Sequence, residues 1–231
     1  MIEFKSFASS SKGNLYTVSD GETRIMIECG LPWRDTKRAL DFKTSSIYAI
    51  LCSHAHLDHS RGAGKAMKAG IDFYTSNETI MALGLSGHRV HAIKPLQQFR
   101  LNTWQVLPFS VPHDVDNLGF LLANEKGERF LFAIDCVYIP YRFRSLHTIA
   151  VGVNYSMDIL RGNISNGLTD RAMKTRLIRS HMSLQTLESF LVANDLSQVR
   201  KIYLLHLSDS NSDAKLFKLK VQEVTGKEVI V

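Results

Sequence analysis

The chain opens with short runs in which apolar and polar residues alternate. "IEFKSFA" is followed by the turn "SSSKGN", then "LYTVS", the turn "DGET" and "RIMIECG". Alternation with a period of two between glycine-bearing turns predicts a β-meander. "WRDTKRAL" predicts a helix, and "SIYAILCS" is a nearly unbroken apolar run of strand length, the pattern of a strand covered on both faces. "SRGAGKAMKAG" predicts a helix, "DFYTS" a strand, and "NETIMALGL" a second helix with Asn77 as its cap. A further strand series is expected from "RVHAI", "FRLNTWQVLPFSV", "LGFLLAN" and "RFLFAID", with "NEKGE" as a hairpin turn.

The second half repeats this order. "HTIAVGVN" reads as a strand, "RAMKTRLIR" and "SLQTLESFLVAND" as helices, and "KIYLLHLS" as a last buried strand. Ala214, Phe217, Val221 and Val224 share one face of a final helix, leaving Lys215, Lys218 and Lys220 largely elsewhere. Strands followed by helices in both halves predict an α/β fold with two packed sheets and helices outside, an αββα sandwich. No repeat, low-complexity tract or linker divides the chain, so a single domain spanning residues 1–231 is expected.

Composition narrows the setting. A chain of 231 residues with 45% hydrophobic content can bury one sizeable core. Its apolar runs fall far short of the roughly 20 residues that span a bilayer, and "MIEFKSFASS" lacks the apolar region of a signal peptide. Cys29, Cys52 and Cys136 are scattered without CxxC spacing, which fits a reducing, cytoplasmic setting and argues against a disulfide framework. A net charge of +6 leans toward anionic partners, though inert surfaces carry as much.

Chemistry concentrates in "SHAHLDHSRG". A solvated loop would account for one histidine there. It accounts poorly for His54, His56, Asp58 and His59 crowded behind a buried strand, because each loses solvation if buried unpartnered. His113 in "SVPHDVDNLGF", Asp135 in "LFAIDC" and His206 in "IYLLHLSDSN" also follow apolar strands, where loops gather at a sheet edge. Imidazoles and carboxylates so placed are the donors that zinc and similar ions take.

The series "HAHLDH", His113, Asp135 and His206 resembles the motif series of the metallo-β-lactamase superfamily along essentially the full chain. That resemblance implies two divalent ions, Zn2+ or Mn2+. His54, His56 and His113 would hold one, Asp58, His59 and His206 the other, with Asp135 and a hydroxide between them. "SFASSSKGNLYTV", "VNYSMDIL", "RLIRSHMSLQTLESFL" and "LLHLSDSNSD" further resemble segments of the YycJ/WalJ-like group of small nucleases. They imply a phosphodiesterase, expected to be a DNA exonuclease, that works by attack of the bridging hydroxide and has no inserted cap domain.

Two departures stand out. Where the superfamily has Asp, "IMIECG" carries Glu28, whose extra methylene changes the reach of a carboxylate that orients the metal loop. "SHMSL" replaces the group's "GHLSN", so His181 is either a residue near the scissile phosphate, able with Asp58 to serve catalysis, or a structural one. Ser10, Ser11, Lys12, Asn14 and Ser208 are candidate substrate contacts by the same resemblance, although "SSSKGN" also reads as an ordinary turn.

Other residues admit plainer readings. Adjacent strand side chains face opposite ways, so Cys136 is expected to pack below Asp135, and Cys29 and Cys52 to be core residues likewise. His88 and His91 are expected at the surface. Tyr141, Arg142, Phe143 and Arg144 could stack bases and bind phosphates, or belong to an edge strand. Arg161, Arg171, Lys174, Arg176 and Arg179 read as a solvated face before a nucleic-acid track.

The function expected is metal-dependent phosphodiester hydrolysis with DNA as the favoured partner and no membrane contact. Alternatives are the same dinuclear site acting on a cyclic nucleotide, thioester or lactam, or a non-catalytic metal-binding protein that binds nucleic acid. Sequence leaves the oligomeric state open.

Overall fold

The computed structural model describes residues 1–168 and 174–231 in full and residues 171–173 in backbone only. The chain is an α/β protein that divides into two compact units, Met1–Ser110 with Val115–Glu128, and Val111–Asp114 with Arg129–Val231.

The first unit runs β1 (Glu3–Ser10), β2 (Gly13–Ser19), β3 (Arg24–Ile27), α1 (Trp33–Ala39), β4 (Ile47–Leu51), α2 (Leu57–Ser60), α3 (Ala63–Lys68), β5 (Asp72–Thr75), α4 (Asn77–Leu83), β6 (Val90–Ala92), β7 (Phe99–Leu101), β8 (Trp104–Ser110) and β9 (Leu118–Asn124). Strands β1 to β6 lie in chain order in one six-stranded sheet. It is antiparallel as far as β3, where tight turns join the strands, and parallel from β3 to β6, where helices cross over between them. Leu15, Met26, Ile50 and Phe73 form its core with Leu40, Ala63 and Ala66. β4 is apolar as expected, except that Tyr48 is exposed.

Two local expectations are corrected in this unit. Ser76, not Asn77, caps α4: the Ser76 Oγ accepts the Thr79 N–H at 3.1 Å. "FRLNTWQVLPFSV" is two antiparallel strands, because Asn102 turns the chain at φ 50° and β7 folds back on β8, which pairs in turn with β9. Asn tolerates that left-handed conformation better than most residues.

The second unit runs β10 (Arg129–Ala133), β11 (Thr148–Gly152), α5 (Met157–Ser165), α6 (Arg171–Ser180), α7 (Leu184–Val192), β12 (Lys201–Leu205), α8 (Ala214–Thr225) and β13 (Glu228–Ile230). Strands β10 to β13 pair in parallel in chain order. Every residue of β11 is buried, as a central parallel strand requires. Because the strands are parallel, β10, β11 and β12 end at the same edge, and Asp135, Asn154 and His206 follow those ends. α7 buries Leu184, Leu187, Phe190 and Leu191. α8 buries only Phe217 and Val221; Ala214 and Val224 are exposed, so its apolar face is narrower than the spacing predicts. The pattern also missed α5, whose apolar positions are diluted by Gly162 and Asn163, and the three-residue β13, which is too short to show alternation.

Candidate metal centre

In the first unit the "HAHLDH" segment leaves β4 and winds at once into the single turn α2. Ser60 Oγ donates to the carbonyls of Ala55 (3.0 Å) and His56 (2.9 Å), tying the turn to itself. The segment following β3 holds it from below: Cys29 N–H donates to His59 O and Gly62 N–H to Cys29 O, both at 2.7 Å. Gly30 packs so closely that a Cβ there would lie 1.6 Å from the Asp58 carbonyl oxygen. His54 and His59 are fully buried with ring centroids 4.1 Å apart, and His54 Nε2 faces His56 Nδ1 at 3.1 Å.

Glu28 lies beneath this loop, fully buried, with Oε2 accepting the Ser53 N–H at 3.4 Å and standing 3.5 Å from His59 Nδ1. A carboxylate facing Nδ1 favours the imidazole tautomer that carries its proton on that nitrogen. His59 Nε2 lies 3.4 Å from Asp58 Oδ2. Asn14 is fully buried as well. Its Nδ2 donates to Ser10 O (3.1 Å) and Asp58 O (3.2 Å) and lies 3.1 Å from His59 Nε2, while its Oδ1 accepts from Tyr16 Oη at 2.9 Å. Asn14 is thus part of the scaffold of the loop rather than an open contact surface. Ser11 and Lys12 are exposed at the tip of the β1–β2 hairpin, and Ser10 Oγ accepts the Lys12 N–H.

In the second unit Asp135 and His206 meet: His206 Nε2 lies 2.9 Å from Asp135 Oδ1 and 3.1 Å from Oδ2. Asp135 and His206 adopt left-handed backbones, φ 48° and 55°, and so does Glu28 at 63° in the other unit. A non-glycine residue held there costs roughly 1–3 kcal/mol, a strain that clusters at functional positions. His113 Nδ1–H donates to Ser180 O at 2.8 Å, and its Nε2 stands 3.0 Å from Asp114 Oδ1.

His181 joins this group with Nε2 3.8 Å from Asp135 Oδ1. The Ser180 hydroxyl gives its only proton to Arg176 O at 2.7 Å, so it accepts from His181 Nδ1–H at 2.7 Å. Burial pushes the His181 pKa down to about 4, against the opposing pull of Asp135. The ring therefore rests neutral at pH 7. Ser208 sits in the turn after His206, where its Oγ accepts the Asn211 N–H.

The cysteines are all buried and free. Burial, helped by Glu28, raises the Cys29 thiol to about 12, and Cys52 and Cys136 are raised for the same first reason. Cys52 Sγ lies 3.3 Å from His54 O, directly behind the loop. His88 is exposed as expected; His91 is only half exposed and stacks on Tyr74 at 4.5 Å. The segment "YRFR" is outside any strand, and Phe143 is buried with its N–H donated to Asn194 Oδ1, which removes it as a stacking surface for bases. Arg161, Arg176 and Arg179 are exposed and Lys174 partly so, while the Arg171 side chain lies outside the described residues.

Each unit thus carries His and Asp residues of the groups able to hold a metal ion, His54, His56, Asp58 and His59 in the first and His113, Asp135 and His206 in the second. Imidazole nitrogens and carboxylate oxygens gathered within a few ångströms of one another are the donor set that a divalent cation takes. The residues that sequence reasoning missed are Asp114, which faces His113, and Asn154, which hydrogen-bonds the His206 carbonyl. Asp114 could be singled out only by its place beside His113, whereas Asn154 lies in "VNYSMDIL", a segment the resemblance names without giving that residue a role.

A family model described as the beta-lactamase superfamily domain matches residues 23–207. Exodeoxyribonuclease WalJ of Streptococcus pneumoniae is 24% identical over 93% of this chain and 85% of its own length. Exodeoxyribonuclease YycJ of Bacillus anthracis is 23% identical over 96% of this chain and 89% of its own. Among solved structures, the metallo-β-lactamase fold protein YhfI of Bacillus subtilis aligns with a TM-score of 0.74 at 12% identity, covering 100% of this chain and 96% of that one. The α/β fold expected from the order of strands and helices is this fold.

Proposed function

Because the chain belongs to the metallo-β-lactamase superfamily and is a hydrolase of that fold, we propose that it cleaves phosphodiester bonds and takes DNA from an end. The observation that carries this reading is the match, over nearly the whole chain, to two relatives named as exodeoxyribonucleases. The net charge of +6 agrees with a polyanionic substrate. A single domain acting in the cytoplasm belongs to the same proposal; no helix among the described residues is long and apolar enough to cross a membrane.

His54, His56 and His113 would hold one divalent ion, zinc or manganese, and Asp58, His59 and His206 a second, with Asp135 shared. Such ions, when bound, supply Lewis-acid activation of water and neutralise charge on the phosphate. Glu28 faces His59 Nδ1 and would favour the ring proton there, turning Nε2 toward the ion. Asn14 holds the Asp58 carbonyl, and with it the loop. Hydrolysis joins a water oxygen to phosphorus, breaks the bond from phosphorus to the leaving oxygen, and needs a proton on that oxygen. With Nδ1–H held by Ser180, His181 presents Nε2, which would take the proton that the attacking water loses and return it to the leaving oxygen. Ser10, Ser11, Lys12 and Ser208 remain the proposed substrate contacts, with Ser11 and Lys12 on an exposed turn.

The test is metal-dependent cleavage of end-labelled single- and double-stranded DNA, RNA, a cyclic nucleotide and a chromogenic phosphodiester, each beside Asp58→Ala. Progressive loss of DNA ends by the wild type alone is expected. Cleavage of the small phosphodiesters alone would limit the reading to its chemistry, and silence on every phosphodiester despite bound metal would overturn it.

A further inference from the structure

Asn154 follows β11 and is 8% exposed. Its Nδ2 donates to the His206 carbonyl at 3.0 Å. Its main chain makes two more ties: the N–H donates to Met182 O at 3.0 Å, and the carbonyl accepts the Ser208 N–H at 2.9 Å. One residue thereby joins the end of β11 to the segment after His181 and to the turn after β12.

The ladder between β11 and β12 stops just before it, with Val153 N–H donating to Leu205 O at 2.9 Å. At His206 the backbone turns left-handed, φ 55°, a conformation that a residue with a Cβ avoids unless its surroundings impose it. The His206 carbonyl takes the Asn154 amide as partner there. Asn154 Oδ1, by contrast, is buried with no hydrogen-bond partner among the described residues. A residue that only filled space would not carry a desolvated oxygen, so the amide is useful for its donor end.

We infer that Asn154 is a positioning residue: its side-chain N–H holds His206 in the left-handed turn that aims the imidazole at Asp135, and its main chain anchors the His181–Met182 segment to the same strand end. This rests on reading His206 as a metal ligand.

The experiment measures Zn2+ affinity of the full chain by chelator competition for Asn154→Ala, Asn154→Asp and His206→Ala, with metal-free folding followed by circular dichroism. Asn154→Asp keeps the volume and replaces the donor by an oxygen. Both Asn154 variants should fold without metal and bind zinc about 10- to 100-fold more weakly, the range seen when a partner of a metal ligand is removed. Wild-type zinc affinity in either folded variant would overturn the inference while His206→Ala still lost zinc. Unfolding of both would overturn it too, by making Asn154 a determinant of the fold rather than of His206. Unchanged zinc binding in His206→Ala would overturn the ligand reading and this inference together.

Discussion

Glu28 Oε2 stands 3.5 Å from His59 Nδ1, and both side chains are completely buried. A carboxylate taken out of water beside a neutral imidazole and the Ser53 N–H is a poor device for stability, because its desolvation offsets much of what these few partners return. It is an effective device for orienting a ring.

Replacing Glu28 with Gln should therefore separate the two roles. The amide keeps the shape and loses the charge that faces His59 Nδ1. Zinc affinity is expected to fall about tenfold or more, while the metal-free protein melts at or above the wild-type temperature. Equal zinc affinity in the two proteins would remove Glu28 from the metal loop's support.

Gly30→Ala places a methyl group 1.6 Å from the Asp58 carbonyl oxygen, and both partners are backbone that cannot swing aside. Overpacking of this kind costs on the order of 3 kcal/mol. Differential scanning calorimetry should show a lower melting temperature, and the displaced Asp58–His59 turn should bind metal weakly. A melting curve superimposable on the wild type would show that the close approach is not required.

Cys29, Cys52 and Cys136 should all resist a thiol-specific reagent in the native protein at pH 8, since burial raises each thiol and keeps reagent out. Labelling should become complete in denaturant. Rapid modification of any one of them before unfolding would contradict its placement in the core.

Asp135 is the carboxylate proposed to be shared by two ions. Asp135→Ala should lower bound metal below two equivalents by elemental analysis, with the fold kept as judged by circular dichroism. Unchanged stoichiometry would sink the sharing.

Much of this was legible beforehand because it depends on local pattern. Period-two alternation and apolar runs located the strands, and "HAHLDH" after a buried run located the metal loop. The errors have local causes. Ser76 and Asn77 are both good caps, and only the hydrogen bond to Thr79 chooses between them. Asn102 hid a hairpin, since a lone Asn with no neighbouring glycine is a weaker turn mark than Asn-Gly or Asp-Gly. Phe143 looks like a stacking aromatic until its burial is known.

The sequence by itself determined which side chains could do chemistry, the order in which strands present them, and the family those motifs resemble, because each of these is a property of residue type and spacing. Only the tertiary structure decided what each polar group faces. It set Glu28 against His59, turned Asn14 inward to the Asp58 loop, gave the His181 proton to Ser180, and brought Asn154 to the His206 carbonyl. Those pairings depend on angles at strand ends and on distances between residues remote in the chain. No periodicity encodes them, because a hydrogen bond is fixed by atoms in space and not by positions in sequence.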